Sequence, residues 1–197
     1  TTVDRVLVIE DHEADFRLLQ RHLQRQGMAS DCRRVASPEA LDAALLEAGW
    51  QVVLADHQVP GLEFGALLQR LQRDLPEVPV ILVSGTIGEE LAVDLLHQGV
   101  ADFVLKDRIA RLVPAIQRCL DDVRHRQQAD ASLRALAESE AFSRAILDAL
   151  DDGLFIAQDR RFVFANPALP DLLGHTPEAF VGLGFEAVLS PDGLATW

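Results

Sequence analysis

At 197 residues, 49% apolar and 25% charged, the chain has room for one large domain or for one ordinary domain plus part of a second, and it is too apolar to be disordered. With 31 Asp and Glu against 18 Lys and Arg, a net charge of −13 disfavours direct binding to nucleic acid or anionic membrane, and no apolar run approaches the ~18–20 residues that span a bilayer. No targeting segment opens the chain, and Cys32 and Cys119 are too few for a disulfide framework or a thiolate metal site, so it reads as a cytoplasmic chain cut from a longer one.

Residues 1 to about 120 alternate β-rich apolar runs with segments of helical period, the pattern of an α/β domain with a doubly wound parallel sheet of five strands. Val6 to Ile9, Val52 to Ala55, Val80 to Val83 and Phe103 to Leu105 are continuous apolar runs, as expected of strands covered on both faces. Cys32 to Val35 is a weaker candidate at an edge. Between them lie helical stripes: Phe16, Leu19 and Leu23; then Leu41, Ala44, Leu45 and Ala48, opened by Ser37 as N-cap and Pro38 at the first helical position. A third comprises Phe64, Leu67, Leu68, Leu71 and Leu75, a fourth Leu91, Leu95 and Leu96, and a fifth starts with Leu112, Val113, Ile116, Leu120 and Val123.

Neither Gly nor Pro occurs from Ala115 to Asp152, so one long helix is expected to leave the first domain. Leu133, Leu136, Leu147 and Leu150 keep a heptad spacing, with Glu140 and Ser143 in the seam between them and a one-residue phase slip from Leu120 and Val123. That suits a coiled-coil dimer linker or a solvated helix packed on its own C-terminal part. Leu154 to Ala157 and Phe162 to Ala165 then read as an antiparallel hairpin about a Gln158–Arg161 turn. Short helices follow, one from Ala168 to Leu173, opened by Asn166-Pro167 and stopped by Gly174, and one opened by Thr176-Pro177-Glu178. Two strands and a few short helices bury little by themselves, so this part is expected to be an incomplete α+β domain. The expected division is 1–120, a helical linker at 121–142, and a partial domain at 143–197.

In such a sheet, ligands bind beyond the C-terminal strand ends where strand order reverses. Those ends carry Glu10 and Asp11, Asp56, Ser84 with Gly85 and Thr86, and Lys106. Three carboxylates in one crevice call for a cation, and hard oxygens suit Mg²⁺. Asp56 can then act as an oxygen nucleophile while Lys106 and Ser84 engage phosphoryl oxygens, a constellation suited to phosphoryl transfer onto Asp56.

VLVIEDHEAD, VVLADHQVPG, VILVSGTIGEE and ADFVLKD, in this order, resemble the receiver domain of two-component response regulators, with 45 residues from Asp11 to Asp56 and 22 from Ser84 to Lys106. The resemblance implies a flavodoxin-like fold in which Asp56 is the phosphoacceptor and Lys106 and Ser84 assist. It also implies that Asp11, Asp56, the Gln58 main-chain carbonyl and, more indirectly, Glu10 hold Mg²⁺, and that Ser84 and Phe103 are the switch pair. Glu10 stands where Asp is commoner. Asp107 follows Lys106 in place of the family's usual proline, so Lys106 to Val113 is expected to be a non-helical connector with Pro114 in the first turn of the last helix. His57 reads as a neighbour tuning access, and Thr86 and Glu89 as residues near the pocket mouth.

A dinucleotide-binding reading fails because the loop Glu10 to Asp15 lacks glycine, and a dehalogenase-type phosphatase would need an acid where Gln58 stands. From about residue 139, ESEAFSRAILDALDDGLFIAQDRRFVFANPALPDLLGHTPEAFVG resembles the start of a PAS domain; His175 reads as a surface residue, and no cysteine is present there to trap a flavin. Together the resemblances imply part of a hybrid sensor kinase or multidomain regulator, with a histidine kinase or phosphotransfer protein as partner. An output enzyme such as a histidine kinase or cyclic-dinucleotide enzyme would lie elsewhere in the protein. Homodimerisation is expected through the linker helix or through the face of the fourth helix, fifth strand and fifth helix. The rival reading is a phosphorylation-independent dimerisation module with a vestigial pocket.

Overall fold

A computed structural model describes residues 3–85 and 94–188. The chain divides into two compact units, Thr1–Gln128 and Ala129–Trp197.

In the first unit, β1 (Val3–Ile9), β2 (Ala29–Val35), β3 (Val52–Ala55), β4 (Val80–Ser84) and β5 (Asp102–Leu105) pair in parallel in the order β2-β1-β3-β4-β5. Period-two alternation sorts the apolar runs onto two faces. Val6, Val8, Leu54, Ile81 and Val83 pack with Leu19 and Leu23 of α1 (Glu13–Arg25) and with Leu112 and Ile116 of α4 (Leu112–Asp148). Leu7, Ile9, Val53, Ala55 and Leu82 pack with Leu41 and Ala44 of α2 (Pro38–Leu45) and with Leu67, Leu68 and Leu71 of α3 (Phe64–Asp74). Ser37 caps α2 as expected, its side chain accepting from the Ala40 N–H, with Pro38 in the first turn. Strand order reverses between β1 and β3, so the crevice opens where those two strands end.

Three expectations change. β2 begins at Ala29, earlier than its apolar end suggests, because an edge strand tolerates the polar run Ser30-Asp31. Residues 94–97 are helical and Leu95 is buried, but Leu96 is 39% exposed, since residues one apart on a helix do not share a face; Leu91 lies outside the described residues. Lys106–Arg111 is a 3₁₀ turn, not an irregular connector. Arg108 leaves helical geometry at φ −116°, ψ 38°, and the Leu112 N–H donates to the Ile109 carbonyl where α4 begins, with Pro114 in the first turn of α4.

α4 buries Leu112, Ala115, Ile116, Cys119 and Leu120. From residue 121 to 148, among the described residues, Val123 and Leu147 alone are even half-buried. Burial pushes the thiols of Cys119 and of half-buried Cys32 on β2 up to about 11.

In the second unit, β6 (Phe155–Gln158) and β7 (Arg161–Ala165) form the expected hairpin, followed by α5 (Ala168–Leu173) and α6 (Pro177–Phe180). Gly174, at φ 73°, ends α5 in the left-handed region, and Thr176 caps α6. Phe162, Phe180 and Phe185 make a small aromatic core, with ring centroids 4.7 Å apart for Phe162 and Phe180. Asn166 is fully buried: its Oδ1 accepts from the Leu154 N–H (2.7 Å), and its Nδ2 donates to the carbonyls of Leu147 (3.2 Å), Leu150 (3.4 Å) and Asp152 (2.9 Å), joining the end of α4 to the hairpin. The hairpin turn places Asp159 and Arg160 at φ 52° and 62°, the geometry of a two-residue I′ turn. Because a Cβ is penalised there, Arg160→Gly is expected to stabilise this unit by ~1 kcal/mol, read as a higher urea midpoint.

Candidate functional site

The crevice is built by three strand ends and one helix start. Glu10 follows β1, its N–H donating to the Val35 carbonyl (2.9 Å); Asp56 follows β3, its N–H donating to the Ile9 carbonyl (2.9 Å); Lys106 follows β5. Asp15 enters from the first turn of α1. The Lys106 ammonium donates to Glu10 Oε2 (2.7 Å), Asp15 Oδ2 (2.6 Å) and Asp56 Oδ2 (2.7 Å), which uses all three of its N–H donors. Lys106 is the only lysine among the 197 residues.

Side-chain exposure differs sharply within this group: 1% for Glu10, 12% for Asp56, 16% for Lys106 and 37% for Asp15. Burial raises the Glu10 carboxyl above its ordinary value; the hydrogen bonds from Lys106 and the His12 N–H pull it down, and the Asp56 charge adds to the rise. Burial disfavours the Lys106 ammonium, yet the bonds to Asp15, Asp56 and Glu10 outweigh it and hold the amine protonated beyond the ordinary lysine range.

Glu10, Asp15 and Asp56 place carboxylate oxygens within 4.8 Å of one another. These oxygens converge on the Lys106 ammonium, which occupies the point between them; hard carboxylate oxygens of this kind are also the donor type that suits a hard divalent cation. The set differs from the expected trio. Asp11 groups instead with Glu10 and His12, its Oδ1 lying 2.9 Å from the His12 ring nitrogen. Its main chain remains fixed to the site: Arg34 on β2 donates from Nε to the Glu10 carbonyl (3.0 Å) and from Nη2 to the Asp11 carbonyl (2.7 Å).

The remaining expected residues fall as follows. The Gln58 N–H donates to Asp56 Oδ1 at 3.4 Å, which brings the Gln58 main chain beside the acid. Ser84 is buried at the end of β4, in register with Leu105. Phe103 is half-buried, in register with Leu82, and packs on the α2 and α3 side of the sheet. His57 is half-buried with its ring 5.4 Å from that of Phe64. His175 is half-buried, its ring 5.8 Å from that of Phe180. Thr86 and Glu89 lie outside the described residues.

Inspecting only strand ends misses Asp15. The available signal is the acidic loop itself: a helix that starts two residues beyond Asp11 returns its first turn to the same crevice, and of the two acids on that turn Asp15 reaches Lys106 while Glu13 pairs with Arg17. Arg34 carries no comparable signal, being one of several polar residues on an edge strand.

A doubly wound parallel sheet of order 2-1-3-4-5, with carboxylates and one lysine gathered at its switch point, puts the first unit in the flavodoxin-like α/β class. Residues 6–117 match the response regulator receiver domain, and residues 141–195 match the PAS domain. The chain belongs to the response regulator receiver domain family, which places it in two-component signalling. It is 34% identical over 116 residues to the transcriptional regulatory protein YkoG of Bacillus subtilis, covering 58% of this chain and 50% of that protein. It is 23% identical over 219 residues to the sensor histidine kinase TmoS of Ectopseudomonas mendocina, covering 95% of this chain and 22% of TmoS. The solved structure of NtrX from Brucella abortus superposes with a TM-score of 0.59 at 25% identity, over 66% of this chain and 29% of that one. The chain thus spans half or less of the length of these relatives. No helix among the described residues is long and apolar enough to cross a membrane.

Proposed function

We propose that Asp56 is the phosphoacceptor of a phosphorelay and takes its phosphoryl group from a phosphohistidine on a histidine kinase or phosphotransfer protein. The observation carrying this reading is the Lys106 ammonium 2.7 Å from Asp56, among carboxylates at the switch point. An Asp56 oxygen attacks phosphorus; the new O–P bond forms as the P–N bond to the donor imidazole breaks, and that nitrogen keeps the electron pair and takes a proton from solvent. Lys106 turns one donor toward a phosphoryl oxygen, and the Ser84 hydroxyl serves another. Glu10, Asp11, Asp56 and the Gln58 main-chain carbonyl would hold Mg²⁺, which supplies positive charge to the phosphoryl oxygens when bound. The new dianion on Asp56 draws in Ser84 and Phe103, altering the face formed by β5 and its neighbouring helices, with α4 as the route to an output. In this reading residues 1–120 are the receiver, 121–142 the linker and 143–197 part of a PAS domain.

Incubation with acetyl phosphate and Mg²⁺ is expected to add one phosphoryl mass to the wild type and none to Asp56→Asn. The rival reading, a dimerisation module indifferent to phosphate, draws on the exposure of Leu133 (65%), Leu136 (58%) and Phe142 (69%) along α4. A wild type that takes no adduct and self-associates exactly as Asp56→Asn does would establish the rival instead.

A further inference from the structure

We propose that Asp15 is a positioning residue for Lys106, holding the ammonium in place while Asp56 reacts; this rests on Asp56 being the phosphoacceptor. An ammonium has three N–H donors, and here Glu10, Asp15 and Asp56 take one each at 2.6–2.7 Å. When Asp56 attacks phosphorus, the donor it shares with Lys106 must turn to a phosphoryl oxygen, and the bonds that keep the ammonium from swinging are then those to Glu10 and Asp15.

The two anchors are unlike. Glu10 lies on the sheet floor at 1% exposure, whereas Asp15 stands at the mouth at 37% exposure on the first turn of α1, an element separate from the three strands that carry the other groups. Two anchors from different directions define a position that one leaves free to swivel.

The test is the rate at which the acetyl phosphate adduct grows at saturating Mg²⁺, in wild type, Asp15→Asn, Lys106→Met and the double variant. Asp15→Asn is expected to slow the reaction about tenfold, the scale of a modest misplacement of a reacting group, and to cause no further slowing once Lys106 is gone. An unchanged rate in Asp15→Asn, or the same slowing with and without Lys106, would overturn the proposal. Because Lys106 is the only lysine, ¹⁵N-lysine labelling yields one side-chain ammonium signal, which serves where the Lys106 variants fold poorly. That signal is expected to persist in wild type and to broaden through water exchange in Asp15→Asn; an identical signal in both overturns the proposal. A wild type that takes no adduct sinks the phosphoacceptor reading, and the ammonium signal still reports whether Asp15 holds Lys106.

Discussion

Lys106→Met is expected to lower the unfolding free energy of the first unit by about 3 kcal/mol at neutral pH, because it leaves three adjoining carboxylates without their cation. The loss should depend on pH, with a sign set by Glu10. Its carboxyl is raised in the fold by burial and by the Asp56 charge, and the bond from Lys106 is a main influence pulling it down. Without that bond the folded value rises further above the unfolded one. A raised acid contributes stability below its unfolded value and loses it as pH climbs through the folded value, so the deficit should be largest at neutral pH and shrink as pH falls toward the ordinary glutamate value of 4.5. In wild type the Lys106 contribution is present in full below the ordinary lysine value of 10.5. Urea melts at neutral and at acidic pH check this, and an equal deficit at both would refute it. Mg²⁺ should raise the midpoint of the variant more than that of wild type, since a divalent cation replaces the missing charge.

Asn166→Ala is expected to destabilise the second unit by ~2–4 kcal/mol, since one fully buried amide serves the Leu154 N–H and the carbonyls of Leu147, Leu150 and Asp152. Asn166→Asp keeps the acceptor for Leu154 but loses both amide donors, and it places a carboxylate among carbonyls, so it should be no better tolerated than alanine. Urea unfolding gives the magnitude. Hydrogen exchange gives the location: the Leu154 amide should lose protection in Asn166→Ala and retain it in Arg160→Gly.

What could be read from the residues follows from where burial leaves a pattern. β1, β3 and β4 are covered on both faces, so their continuous apolar runs announce them, and the capping residues Ser37, Thr176 and Gly174 act locally enough to be read in place. β2 is an edge strand, and its polar start hides it. The 3₁₀ turn at Lys106–Arg111 is set by the junction between β5 and α4, which no local signal encodes. Within the site, Glu10, Asp56 and Lys106 were legible because each directly follows a strand. Asp15 and Arg34 were not, because they reach the crevice from a helix and from a neighbouring strand. Asp11 was legible as a member of the loop, but that its side chain lies beside the His12 ring is set by the folded loop and not by its place after a strand.

The two thiols shape how this protein can be followed in solution. Burial pushes both values up to about 11, so the thiols stay protonated at neutral pH, and the thiolate is the form that reacts with maleimides and disulfide reagents. The native chain therefore offers a quiet background. A cysteine introduced at the 89% exposed Leu46 position would carry a fluorophore or spin label without either natural cysteine first being removed.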